Sequence, residues 1–390
     1  MKERDLRRRL GGLEPPRADG ARERAWQVVS AAFGEREPIR PTRARLRPLV
    51  SVAIALALLA AALSPAGRAV LDTVRDTVAP ERIVRARPAL FSLPADGRLL
   101  VDSQRGAWVV QRNGSKRLLG AYRESSWSPT GRFVVVAGRS ELVALEPGGR
   151  VRWSLARPGV SRPRWGGTRT DTRIAYGSGT TLRVVAGDGR GDRLLARRVA
   201  PVAPAWRPGT GHVLAFVDPA GRIQVVAVDR SDRRLWSSRP TPAVQALEWS
   251  REGALLLVRA RRSLSVYNSA GRRLFELLGD GSAPIAAAAL GPSGRSVAFV
   301  QTARGRSSLW VVPRLRPDAS AARRVFTGAG RFTDVAWSPD GRWLLLAWAD
   351  ADQWLFLRST GVQKLVAVSD LRRQFRTSSF PRIGGWCCAS

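Results

Sequence analysis

Cysteine, histidine, lysine and methionine are nearly missing from this chain. Of its 390 residues two are Cys, one is His and one is Met, and Lys occurs only at positions 2, 116 and 364. The cysteines, Cys387 and Cys388, are adjacent and almost terminal, so they cannot staple distant parts of a fold. A vicinal disulfide, a bond to another chain and the reduced pair are the states open to them. A structural zinc site lacks further ligands, because the sole histidine, His212, is far away in sequence. His212 follows the turn of "PGTGHVLAF" and reads as a structural or surface residue. Nucleophile elbow, metal-binding His pair, Walker loop and dinucleotide fingerprint are all absent. The pairs Asp188 with Asp192 and Asp229 with Asp232 fall in turn-like segments, where Asp serves the turn, and lack the alternation of a calcium loop. The triplet Arg190-Gly191-Asp192 is discounted as chance in a chain so rich in Arg and Gly. No metal, cofactor or catalytic residue is expected.

Arginine is what abounds, and it sets the formal net charge of +34. Such a chain draws phosphates and anionic polymers non-specifically, although a biased composition explains the charge equally well. One apolar run divides the sequence. Residues 48 to 64, "PLVSVAIALALLAAALS", carry no charge, and a helix of that length rises about 25 Å, just enough to cross a bilayer. Arg43, Arg45 and Arg47 abut it, which predicts the N-terminus on the cytoplasmic side. The expected layout is a basic cytoplasmic tail over 1–47, a transmembrane signal anchor over 48–65, a stalk over 66–88 and an external domain over 89–390. In the tail, Trp26, Val29 and Phe33 share one face of a short helix, a candidate contact for a cytoplasmic regulator.

Beyond residue 88 short Val-rich runs alternate with Gly, Pro, Asp and Ser turns, which reads as all-β. "VAWSPDGRWLLLAW" at 335–348 returns as "SSWSPTGRFVVVAG" at 125–138, and weaker copies surround Trp165, Trp206 and Trp249. Another copy puts Leu290 where Trp stands elsewhere. An earlier, frayed one, "FSLPADGRLLVD", aligns with Leu93 as its anchor. The anchors from Trp127 to Trp337 span 210 residues in five intervals, or 42 per unit, a period typical of propeller blades. Seven copies give a seven-bladed β-propeller. Its anchors (Trp127, Trp165, Trp206, Trp249, Leu290 and Trp337) are read as wedges between sheets. Its turns are read at Pro129 and Gly131, at Pro292 and Gly294, and at Pro339, Asp340 and Gly341. In many propellers strands from both termini share one blade; here a C-terminal segment whose Trp386 plugs the gap beside the cysteines and a free, solvent-exposed C-terminus are both open.

The motif W-S-P-D-G-[RK] before an apolar strand resembles the WD40-like and TolB-like propeller repeats. Residues 337–342 match it fully, and 127–132 match with Thr130 in the Asp position. The whole layout resembles membrane-anchored proteins of this class of actinobacterial type. That resemblance implies the fold and no single activity. The expected function is a membrane-anchored, extracytoplasmic propeller that binds protein or cell-envelope polymer, without catalysis and without nucleic acid. Arg132, Arg222, Arg272 and Arg295, beside turns, are the candidate rim contacts. Two alternatives stand beside it. One is a hydrolase or lyase with a carboxylate site in the central channel, and the other is a transmembrane sensor acting on a cytoplasmic regulator.

Overall fold

Twenty-eight strands, numbered β1–β28 in chain order, form seven four-stranded antiparallel sheets among the described residues. The structure, a computed structural model, describes residues 92–388 except 210, 230, 280–282, 316–321 and 360–363. Neighbouring strands of each sheet run antiparallel, and turns join those that are consecutive in the chain. The second strands are buried along their whole length: Val134–Ala137, Val213–Val217 and Trp343–Trp348 have no exposed residue. The outermost Val151–Ala156 is exposed at alternate residues. A strand buried on both faces needs a neighbour on each side, which a stack of sheets around an axis provides.

The apolar residues obey that logic gap by gap. Seven buried clusters fill the seven gaps between neighbouring blades. The cluster joining last blade to first contains Val101 and Trp108 together with Leu345, Trp354 and Phe356. The ring is therefore closed.

Closure comes from the C-terminus. Strand β28 (Arg382–Cys387) runs antiparallel to β1 (Arg98–Ser103), pairing Leu99 with Trp386 and Arg98 with Cys387. Blade 1 is therefore β28 with β1, β2 (Gly106–Val110) and β3 (Lys116–Gly120), and blades 2 to 7 follow in sequence order. Trp386 takes the innermost-strand position that the anchors hold in other blades. Leu93, the expected anchor of the first copy, is buried beside it in the same cluster. The Trp and the Pro-Asp-Gly turn of that repeat thus lie at opposite ends of the chain. A helical turn α1 (Leu371–Gln374) buries Leu371 under the seam.

The membrane architecture does not stand. Among the described residues no helix is long and apolar enough to cross a membrane. Residues 1–47, with Trp26, Val29 and Phe33, the apolar run 48–65 and the stalk 66–88 lie outside the described residues. The signal anchor, the cytoplasmic tail helix, the external placement of the propeller and the transmembrane sensor are all withdrawn. Their basis was local hydropathy in an Ala-rich run at the lower limit of spanning length, which is too little to define a span.

Candidate functional site

Five of the six anchors close the inner strand of their blade, Trp165 lies two residues before the end of its own, and Trp386 nearly closes β28. These strands are β4 (Glu124–Trp127), β8 (Val160–Gly167), β12 (Ala205–Trp206), β16 (Val244–Trp249), β20 (Ile285–Leu290) and β24 (Phe332–Trp337). Trp206 Nε1 donates to Arg164 O at 2.9 Å and Trp337 Nε1 to Ala289 O at 3.2 Å, each reaching the preceding blade. The Trp206 ring lies directly on Gly166, where a Cβ would come within 2.1 Å of it. The Trp206 and Trp337 rings thus fill the gap to the preceding blade. Four of their indole nitrogens, on Trp127, Trp165, Trp249 and Trp386, are buried without a hydrogen-bond partner.

After Trp127, Trp249 and Trp337 the chain turns in one way. Gly131, Gly253 and Gly341 N–H groups donate to the carbonyls of Ser128, Ser250 and Ser338. The same three serine hydroxyls accept the N–H of Phe133, Leu255 and Trp343 at 2.9 to 3.1 Å. In the Leu290 copy Gly291 replaces Ser, and Gly294 keeps the backbone bond. Asp340 Oδ1 accepts the Ser338 hydroxyl and the Arg342 N–H, fixing the only turn that matches the motif in full. Glycine is required at Gly131 and Gly253 for two reasons. Both lie in the left-handed region, with φ of 67° and 69°, and a Cβ would lie 2.6 Å from Cys388 Sγ or 2.5 Å from Pro208 O of the preceding blade. Pro129, Pro292 and Pro339 line the mouth of the central channel that these turns encircle.

Arginines fasten this face. Arg98 Nη2 donates to Gly131 O at 2.7 Å and its guanidinium lies 5.0 Å over Trp127. Arg207 repeats the arrangement three blades on, with Nε on Gly253 O at 2.7 Å and 5.7 Å over Trp249. Of the expected rim arginines, Arg132 and Arg295 follow the first turn of a blade and Arg272 its third, so the meander puts all three on this face. Arg222 follows the second turn and lies on the opposite face. Sequence position beside a turn could not tell the faces apart. Only the count of strands from the anchor does so.

Two adjoining hollows cross this face from blade 1 to blade 3. One, of 740 Å³, is lined by Arg98, Arg132, Arg150 and Arg152 with Glu146 as its only acid. The other, of 520 Å³, is lined by Trp153, Trp165 and Asp171, and both share Phe133 and Arg152. Phe133 stacks on Trp165 at 5.9 Å, while Arg152 lies 6.0 Å over the Phe133 ring. Glu146 accepts Arg150 at 2.5 Å and Arg152 at 3.5 Å, which holds its carboxyl below the usual range. Arg150 and Arg152 have side chains 69% and 48% exposed, so most of their donors face solvent. Sequence reasoning missed Arg98, Arg150, Arg152 and Phe133 as a group, because separate turns of blade 2 bring three of them together and Arg98 joins them across the gap from blade 1.

Other singled-out residues are occupied. Asp192 of the Arg-Gly-Asp triplet is buried and bonded to Arg157, Arg183 and Tyr176, so it is not available to a partner. Burial and that carboxylate push the Tyr176 phenol up to about 12. Asp229 Oδ1 accepts Ser231 and Asp232 N–H groups, a turn role, and Asp232 pairs with Arg193. His212 lies edge-on to Trp206 and 3.5 Å from Asp171. Cys387 and Cys388 are bonded to each other at the end of the closing strand.

The expected carboxylate site in the channel is not upheld. Glu248 and Asp334 do line it, yet Glu248 Oε2 accepts Leu290 N–H at 3.2 Å and Asp334 Oδ2 accepts Ile383 N–H at 3.1 Å. Glu124 does the same for Arg162 N–H, and Ser126 for Trp165 N–H at 3.3 Å. These groups stitch β4 to β8, β16 to β20 and β24 to β28. Among the described residues no cluster of three or more His, Cys, Asp or Glu could hold a metal ion.

No family model and no curated protein matches the chain. Solved structures do. A chain of the mitotic checkpoint complex superposes with a TM-score of 0.51 at 16% identity, over 75% of this chain and 86% of that one. The Cps50 (Swd1) β-propeller domain of Myceliophteria thermophila gives 0.53 at 13% identity, over 69% and 99%. At such identity the likeness establishes the propeller fold alone. Membership of a membrane-anchored actinobacterial family, and with it an envelope-polymer ligand, is not retained.

Proposed function

We propose that this propeller acts by binding rather than by catalysis, and that its groove over blades 1 to 3 receives an extended, acidic protein segment. The observation that carries this reading is the pair of joined hollows around Phe133 and Arg152, rimmed by Arg98, Arg132 and Arg150. Arginine forks match carboxylates in geometry as well as charge. A protein segment fits better than nucleic acid because Glu146, Asp171 and Asp188 interrupt the positive surface, which a phosphate track would not tolerate.

Fluorescence anisotropy with a labelled Asp/Glu-rich peptide, with single-stranded DNA as competitor, tests it. A variant carrying Arg132→Gln and Arg150→Gln should weaken peptide binding about tenfold, and the loss should shrink as salt rises. Arg222→Gln, on the opposite face, should change nothing. Equal loss from Arg222→Gln, or DNA binding tighter than peptide with the same variant dependence, would sink the reading.

A further inference from the structure

The centre of the ring holds chemistry that the groove does not use. Inner strands surround a channel whose mouth, of 570 Å³, opens among the anchor-strand turns. Its wall carries Arg164, on β8, and Arg259, on the second strand of blade 5. Arg164 gives one hydrogen bond, from Nη1 to Pro163 O at 2.8 Å. Arg259 uses only Nη1, on the Gln245 side chain and on Ile285 O. Neither guanidinium has an ion-pair partner among the described residues, so most of their donors are unused. Leu247, Leu257, Trp249 and Trp337 supply an apolar wall beside them.

We propose that this channel binds a small organic oxyanion, a carboxylate or phosphate ester with a compact apolar body, on the Arg164 and Arg259 guanidinium groups. Half-buried guanidinium groups with no carboxylate in ion-pair contact keep free donors, and an anion with bidentate geometry satisfies them. Burial lowers the pKa of both guanidinium groups, yet arginine stays charged. The acids around them set the pH response. Asp334 on β24 and Arg382 on β28 lie near Arg259 or each other, Glu248 on β16 lies near Asp334, and Asp102 on β1 and Glu124 on β4 lie near Arg164. Burial pushes Glu248 up to about 7, and Asp334 and Asp102 up to about 6. Above those values the ionised acids oppose an incoming anion. Below them the arginine field is unopposed, so binding takes up protons.

Calorimetry of the full chain with benzoate, ionised throughout, at pH 5.5 and 8.0 tests the site, with inorganic phosphate as second probe at pH 5.5. Benzoate should occupy one site and bind about tenfold tighter at pH 5.5. Arg164→Gln and Arg259→Gln should each weaken it about tenfold. Asp334→Asn should tighten benzoate binding at pH 8.0, a gain that a misfolded variant cannot produce. Preference for phosphate over benzoate would place phosphate esters ahead of carboxylates. The proposal is overturned by no binding of either probe at pH 5.5, by binding that survives loss of both arginines, or by Asp334→Asn leaving pH 8.0 affinity unchanged. Channel variants should leave the acidic-peptide titration as it was, so the two sites stand or fall separately.

Discussion

At the scale of single residues, most conserved-looking features of the repeat turn out to be joints between blades. The Trp206 ring presses on Gly166 and hydrogen-bonds to Arg164 O, so a glycine in one blade exists to admit the tryptophan of the next. Gly166→Ala should therefore destabilise the protein by about 1–3 kcal/mol, measured by urea unfolding, through overpacking. Combined with Trp206→Ala, which itself should cost about 3–5 kcal/mol, the alanine should add almost nothing, because the clash is gone. Additive losses in that double-mutant cycle would show that Gly166 matters for some other reason. The anchor tryptophans were legible from their spacing. Gly166 was not, since its partner lies 40 positions away in sequence.

At the scale of elements, the closing strand differs from the other innermost strands. Elsewhere the innermost strand is followed within a few residues by its hairpin partner, whereas β28 meets β1 from the far end of the chain. Removing residues 382–390 takes away that strand, the Trp386 wedge and the Ile383 N–H that satisfies Asp334. The first and last blades should then expose the cluster containing Trp108, Trp354 and Phe356. The expected outcome is a lower Tm and broadened, non-coincident unfolding by tryptophan fluorescence and circular dichroism. A single sharp transition at the original temperature would mean that β28 is not what closes the ring. The 42-residue period announced seven units, but an eroded first copy and a stray terminal Trp gave only a hint of the shared blade.

At the scale of the whole molecule, the channel acids shape stability against pH. Asp102, Glu248 and Asp334 have folded-state pKa values of about 6, about 7 and about 6, each raised mainly by burial. The unfolded chain releases those protons near pH 4, before the folded one does. Between the unfolded and folded values the native state holds more protons, so stability falls as pH rises from about 4 to about 7 and then levels off. Carboxylates held low by arginine or turn N–H groups, such as Asp192, Asp340 and Asp350, act oppositely and lose their contribution in stronger acid. Tm should peak in mild acid. Glu248→Gln, which keeps an acceptor for Leu290 N–H, should raise Tm at pH 8 and leave it nearly unchanged at pH 4. A uniform shift at both pH values would contradict the burial argument.

The sequence by itself determined the blade. Blades 2 to 7 each encode their own anchor, the turn after it and the strands that follow, because hairpin register depends on residues close together in the chain. Tertiary structure decided everything that crosses a gap: Trp386 as the seventh anchor, the face on which Arg132 and Arg222 part company, the groove around Phe133, and the employment of Glu248 and Asp334 on neighbouring backbone. Those contacts join residues about 30 or more positions apart, up to the opposite ends of the chain, and no local pattern records which blade a side chain will meet.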